Sequence, residues 1–331
     1  MKAIPLDIQE MVRQRRFSDG QALPLIIEPT YPDMNLTEWL KQQSEWVEKQ
    51  LLQCGGILFR GFQVKKQVDF HQLVDAICSQ PMTYKEGATP RTKISEKVYT
   101  STEFPATQRI DLHNELSYVN TWPKKIWFCC IKNADKGGET PIADVRKVYQ
   151  LINKKIIDTF KEKGWMLVRN FGDGFGLPWQ RVFHTDLQHE VDAYGKENGI
   201  SREWKDENRL RTTQVRPAIA IHPDTKESLW FNHIVFWHES SLEPRLRTMF
   251  HNEFGKDGLP FSTYYGDGTP IEDEVIDEIK KAYRQATITF KWEEGDVLML
   301  DNMLVAHGRN PFEGERKVLV SMGEPVHRQG E

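Results

Sequence analysis

Cysteine is scarce: the 331 residues hold four, Cys54, Cys78, Cys129 and Cys130, with no C-x-x-C spacing. Disulfide frameworks and cysteine zinc cages need thiols at set spacings, so both are argued against, and a reducing cytoplasm is the expected compartment. An excess of one charge is also missing, since 44 Lys+Arg stand against 48 Asp+Glu for a formal charge of −4. No global basic field draws nucleic acid or an anionic membrane. A small molecule is therefore the expected partner. Long apolar runs are absent too: "IWFCCI" at 126–131 is far below the roughly 18 residues of a membrane span. The opening "MKAIPLDIQEMVRQRRF" lacks the uninterrupted apolar stretch of a signal peptide. No short-period repeat or low-complexity linker divides the chain, which predicts one elaborated domain.

What is present is a long series of short β-like segments. A helical stripe over 35–53 (Leu36, Leu40, Trp46, Val47, Leu51) ends at Gly55-Gly56 and releases the strand "ILFRGF"; another helix follows near 67–78. From residue 97 onward come "KVYTST", "RIDLHNELSYV", "KIWFCCIK", "WMLVRNF", "TTQVRPAIAI", "SLWFNHIVF", "QATITFKW", "DVLMLD" and "KVLVSM", broken by Gly, Pro and Asp turns. Helices are expected at about 143–163, 186–197, 242–254 and 271–285. Many short strands with few strand-helix-strand alternations predict an α+β protein whose core is a double-stranded β-helix, or jelly roll, with surrounding helices. Its expected extent is about 97–325, with an N-terminal helical and strand extension over 1–96 and a lid-like insert over about 170–285.

The His-x-carboxylate pattern is found at His113-Asn114-Glu115, His184-Thr185-Asp186 and His251-Asn252-Glu253, among other places. Residues i and i+2 share a face of a strand, whereas in a helix they diverge by about 200°. The first copy sits in alternating sequence, so His113 and Glu115 are expected to share a strand face and chelate. The third lies on a helix ending at Gly255, where the two side chains point apart. In the second, Thr185 or Asp186 is expected to cap a helix over 187–197. One His and one carboxylate need a third ligand, and two His with one carboxylate form the facial triad of non-haem Fe(II) oxygenases. His307, at the head of a turn in "EEGDVLMLDNMLVAHGRNPFEGERKVLVSM", is the candidate third ligand. Asn302 is a candidate for the outer partner that such ligands commonly have.

The phrases "YTSTEFP", "LHNELSY", "GGETPIADVR", "RLRTTQVRPA", "TYYGDGTPI" and "GDVLMLDNMLVAHGRNPFEGERKVLV" together resemble the TauD/TfdA (taurine dioxygenase) family of Fe(II)/2-oxoglutarate oxygenases. The similarity runs from about residue 55 to 325 and is strongest to its syringomycin-biosynthesis-hydroxylase-like and clavaminate synthase-like branch. The resemblance implies that His113, Glu115 and His307 ligate Fe(II), with 2-oxoglutarate and O2 as cosubstrates. A carboxylate ligand argues against a halogenase, in which a small residue makes room for chloride. By the same resemblance Arg316 and Thr140 anchor the far carboxylate of 2-oxoglutarate, a task suited to the guanidinium fork. Arg309 either adds to that cofactor site, orients the His307 turn or meets substrate.

The implied reaction is hydroxylation of an unactivated C–H of an amino acid or amino-acid-derived intermediate of specialised metabolism, free or tethered to a peptidyl carrier protein. Asn114, Ser117, Tyr118 and Arg91 are the expected substrate residues. His184 and His233 stand where relatives are expected to carry Gln, so specificity does not transfer. The alternatives are a related oxidation on the same scaffold, desaturation or cyclisation, and a non-catalytic jelly-roll binding protein. A zinc hydrolase is disfavoured because neither His189-Glu190 nor His238-Glu239 completes H-E-x-x-H.

Overall fold

A computed structural model of the chain describes residues 11–17, 21–80, 82, 85–87, 92, 94–95, 97–101 and 104–328. The alternation in "KIWFCCIK" builds the centre of the molecule. Its strand, Thr121–Lys132, sends Ile126, Phe128 and Cys130 into one apolar core and Trp127 and Cys129 into another. A strand buried on both faces reads as a continuous apolar run, which is why "IWFCCI" looks unpatterned. Cys129 and Cys130 thus point to opposite faces, and all four cysteines are free and buried.

That strand lies within a seven-stranded sheet of order Val12–Arg16, Leu25–Pro29, Gly56–Phe59, Val297–Asp301, Thr121–Lys132, Lys317–His327, Val98–Thr100. All neighbours are antiparallel except Leu25–Pro29 beside Gly56–Phe59. A second, four-stranded antiparallel sheet runs Thr287–Ile288, Ile142–Asp144, Val305–Arg309, Ile110–His113. Ile142, Ala143 and Ala306 of the small sheet share a core with Phe128, Leu298 and Val320 of the large one. The result is a jelly roll of two layers with helices outside. The N-terminal segment is less separate than expected, since its three strands extend the large sheet. The helices Leu36–Gln42, Ser44–Cys54 and Gln67–Ile77 cover that sheet's outer face through Trp39, Val47, Phe70 and Leu73.

Several elements depart from expectation, each for a local reason. The helix over 35–53 is two, Leu36–Gln42 and Ser44–Cys54, hinged at Gln43; Asn35 Oδ1 caps the first by accepting from Glu38 N at 3.1 Å. The helix over 143–163 is also two, Val145–Leu151 and Lys154–Lys163, because Asp144 and Asn153 each cap a new start. "SLWFNHIVF" is a strand only over Ser228–Trp230. Asn232 Oδ1 then accepts from Ile234 N at 3.1 Å and opens the short helix Ile234–Trp237. The stretch 170–285, expected as a lid-like insert, holds helices close to the expected ones. It supplies three strands of a sheet ordered Ile200–Trp204, Leu210–Arg216, Trp165–Phe171, Phe261–Tyr265, together with the helices Gln188–Glu197, Pro244–Phe254 and most of Asp273–Ala286.

Candidate metal centre

The two small-sheet strands that matter most, Ile110–His113 and Val305–Arg309, pair so that His113 lies directly opposite His307. The register shifts between His307 and Arg309, where a side chain at Gly308 would place its Cβ 2.5 Å from Ile110 O. Glycine is required by that close approach. Gly308→Ala is expected to push the strands apart and destabilise the fold by about 1–3 kcal/mol, measured as a lower denaturant midpoint at unchanged slope. An unchanged midpoint would mean the strands part freely here.

The strand stops at His113, and the residues after it form a turn in which Leu116 takes φ 55°. The expectation that strand alternation aligns Glu115 with His113 is therefore corrected. Glu115 is delivered by a turn held in place by Asn302. The Asn302 Oδ1 accepts from Glu115 N at 2.7 Å, and its Nδ2 donates to Glu115 O at 2.9 Å and to Pro123 O at 2.8 Å. One side-chain amide thus pairs with both backbone groups of Glu115, as a neighbouring strand would. Asn302 serves the carboxylate ligand's backbone rather than a histidine ring.

The outcome is a compact donor set: one ligand atom from each of His113, Glu115 and His307 lies within 4.8 Å of the others. Glu115 Oε2 is 4.0 Å from His307 Nε2, and the imidazole centroids are 4.6 Å apart. Glu115 and His307 are buried, whereas His113 is partly exposed. His113 Nδ1 lies 2.9 Å from Asp111 O and donates to it, so Nε2 keeps its lone pair for a metal. Two imidazoles and one carboxylate fit non-haem Fe(II), leaving coordination positions for other ligands.

The other two copies lie elsewhere. His251, on the helix Pro244–Phe254, has its Nε2 2.9 Å from Glu239 Oε2, a carboxylate also held by Arg247. His184 is exposed, in a left-handed conformation at the end of the helix Trp179–Phe183. The following helix begins after Leu187 without a side-chain cap from Asp186. Thr185 Oγ1 accepts from Leu187 N instead, at 3.2 Å.

A cavity beside the donor set is lined by His113, His307, Thr140, Arg309, Arg316 and Val318, among others. Arg316 Nε donates to Gly138 O at 2.9 Å, and among the described residues no carboxylate forms an ion pair with its guanidinium. Burial, with Arg309 nearby, pulls Arg316 down to about 10, so it remains charged at neutral pH. Gly138 is in the left-handed region, and a Cβ there would sit 3.0 Å from Arg316 Cδ, so the glycine makes room for this arginine. Thr140 Oγ1 accepts from Trp292 Nε1 at 3.0 Å, which leaves the hydroxyl proton to be donated. Arg309 also lines the cavity, but Nη1 donates to Phe104 O at 3.0 Å, and Nη2 to Pro105 O at 2.7 Å and Gln108 O at 2.9 Å. These three bonds tie Arg309 to the 104–108 segment, a role outside the alternatives expected for it.

Of the expected substrate residues, Arg91 lies outside the described residues. Asn114 is fully buried and donates to Asn302 O at 2.6 Å, and the Tyr118 hydroxyl donates to Glu86 O at 2.7 Å. Asn114 thus ties the turn that carries Glu115 to Asn302, whereas Tyr118 reaches the backbone at Glu86 and packs against His233 and Trp237. Ser117 Oγ lies 2.6 Å from His233 Nδ1. The His233 ring in turn stands 5.6 Å from His113 and packs against Phe236 and Trp237. Burial and the nearby His113 hold His233 well below the usual histidine range, as a neutral ring. Phe236, 4.8 Å from the His113 ring, was not picked out from the sequence; the aromatic run "FNHIVFW" was its only signal.

Comparison with known proteins places this geometry among relatives. The family model for taurine catabolism dioxygenase TauD, TfdA family, matches residues 19–322. The dapdiamide synthesis protein DdaC of Enterobacter agglomerans is 42% identical over 285 residues, covering 86% of this chain and 87% of that protein. A clavaminate synthase-like protein of Arabidopsis thaliana is 28% identical over 337 residues, covering 95% and 98%. Among solved structures, PvcB, an Fe, alpha-ketoglutarate dependent oxygenase from an isonitrile synthetic pathway, aligns with a TM-score of 0.56 at 17% identity over 99% of this chain and 97% of its own. A taurine dioxygenase from Burkholderia xenovorans aligns with a TM-score of 0.54 at 13% identity, covering 97% and 96%. These two structures bear on the fold alone.

Proposed function

Since the chain belongs to the taurine catabolism dioxygenase TauD, TfdA family and is an oxygenase using Fe(II), 2-oxoglutarate and O2, we propose that it hydroxylates an unactivated C–H of an amino acid or amino-acid-derived intermediate of specialised metabolism. In this reading His113, Glu115 and His307 hold the iron, and Arg316 with Thr140 holds the far carboxylate of 2-oxoglutarate. The observation that carries it is a charged guanidinium without an ion-pair partner among the described residues, lining the same cavity as both histidines. Such a group in a partly desolvated cavity favours an anion, and its fork suits a carboxylate.

The bound iron, with 2-oxoglutarate and O2, supplies the oxidising power that breaks a C–H bond as 2-oxoglutarate is converted to succinate and CO2. The chain's own residues do the positioning. Arg316 fixes one end of 2-oxoglutarate, Thr140 donates its hydroxyl to the same carboxylate, and Gly138 lets the backbone pass close by. Phe128, 5.1 Å from the His307 ring, and Phe236, 4.8 Å from the His113 ring, pack against the two imidazoles and orient them. Support for a specialised-metabolic substrate comes from the relative at 42% identity, whose name places it in dapdiamide synthesis.

The test is a screen of amino acids, free and loaded on a peptidyl carrier protein, read by succinate release and by product mass. The expected result is a substrate that raises succinate formation and gains one oxygen. Stimulated succinate with a loss of two hydrogens would replace hydroxylation by desaturation, and no stimulation by any amino-acid-derived compound would overturn the substrate class.

A further inference from the structure

The clamp on Glu115 has its own support, and that support ends on a histidine outside the donor set. Asp301 precedes Asn302 and is fully buried, as are Asn302 and His222. Asp301 Oδ1 accepts from Met303 N at 2.9 Å and Leu304 N at 3.1 Å, which turns the chain sharply after the strand Val297–Asp301. Its other oxygen, Oδ2, lies 3.1 Å from His222 Nε2. The tautomer of His222 follows from its second nitrogen. Nδ1 accepts from the backbone N–H of both Asp224 and Thr225 at 3.1 Å, so it bears no proton, and Nε2 is the donor to Asp301.

We propose that His222 is a positioning residue for the metal centre, acting through Asp301 and Asn302 on the backbone of Glu115. This rests on the reading of Glu115 as an iron ligand. Every step of the path sets donors against acceptors. The two turn N–H groups lock His222, His222 and two further N–H groups lock Asp301, and the turn after Asp301 aims the Asn302 amide at Glu115. The main-chain N–H of Asn302 adds a bond to Lys124 O at 2.7 Å, which fixes the near end of the clamp. Without such a support the turn at 114–117 would have to orient the carboxylate by itself, with Leu116 in a left-handed conformation that a branched side chain disfavours. Outer partners of metal ligands typically matter by 10–100-fold in metal affinity.

The experiment is anaerobic titration of the purified apoprotein with Fe(II) alone, comparing wild type, Glu115→Ala, His222→Leu, His222→Gln and Leu73→Ala. Leu73 is fully buried in the core on the outer face of the large sheet and supplies a loss of Tm unconnected with the network. His222→Leu is expected to weaken Fe(II) binding about tenfold or more, whereas Leu73→Ala keeps wild-type affinity despite its lower Tm. His222→Gln is expected to recover most of the affinity, because its amide can accept from the turn and donate to Asp301. Where His222→Leu fails to fold, Asp301→Asn takes its place, since its amide nitrogen cannot accept where a carboxylate oxygen did. Wild-type iron affinity in a folded His222→Leu or Asp301→Asn would overturn the proposal. Wild-type affinity in Glu115→Ala would instead overturn the ligand assignment on which it rests.

Discussion

Replacing His113 by alanine is expected to strip Fe(II) from a folded protein and abolish turnover, while His251→Ala leaves iron content and turnover near wild type. The tripeptide is the same in both places, so the contrast isolates the role of local structure. His113 ends a strand opposite His307, and the clamped turn returns Glu115 to the same point. Loss of a ligand should exceed the roughly 10–100-fold cost of losing an outer partner. His251 sits on a helix, paired with Glu239 at the protein surface, and removing such a pair costs about 0–1 kcal/mol. His184→Ala, at an exposed helix end, should likewise keep its iron. Iron content by elemental analysis and circular dichroism on the same samples decide the matter. Iron loss in His251→Ala with an unchanged fold would mean the metal lies at that copy.

Arg316→Leu is expected to raise the dissociation constant of 2-oxoglutarate by about tenfold or more, since a charge-assisted bond contributes roughly 1.5–3 kcal/mol. Iron binding should largely survive, because Arg316 touches none of the proposed ligands in the hydrogen bonds it makes. Leucine also removes the cost of holding a buried cation, so the fold should tolerate the change. Equilibrium binding of 2-oxoglutarate to the iron-loaded variant gives the answer. An unchanged constant would show the anchor to be misassigned, and Arg309 would be tested next, with the added expectation that Arg309→Leu loosens the 104–108 segment.

The parts legible in the sequence are those set by short-range pattern or by resemblance. Strand and turn signals gave the jelly roll, and the adjacent cysteines were rightly placed on opposite faces of a strand. His113, Glu115 and His307 converge as expected, but Glu115 arrives by a turn and not by strand alternation. Alternation over "DLHNELSY" cannot reveal that the strand ends at His113, because the partner that ends it, Asn302, is 187 residues away from Glu115. Helix lengths differ similarly at Asn153, where side-chain capping competes with an unbroken apolar period, and at Gln43, where the chain breaks without a side-chain cap. His222 and Asp301 are 79 residues apart, and the local pattern His222-Pro223-Asp224 carries no sign of their contact. Asn114 and Tyr118 are expected in the pocket by adjacency to a ligand; in the structure both are buried, with polar atoms donating to Asn302 O and Glu86 O. A buried polar network whose members are all satisfied rigidifies the backbone that it holds.

The most direct test of the oxygenase reading is an anaerobic visible spectrum of wild-type protein with Fe(II) and 2-oxoglutarate, repeated with His113→Ala, Glu115→Ala and Arg316→Leu. The expected result is a weak charge-transfer band in wild type that requires both additions. It should be lost in His113→Ala and Glu115→Ala and recovered in Arg316→Leu only at higher 2-oxoglutarate. No band in wild type, together with activity restored by Zn(II) alone, would contradict the account.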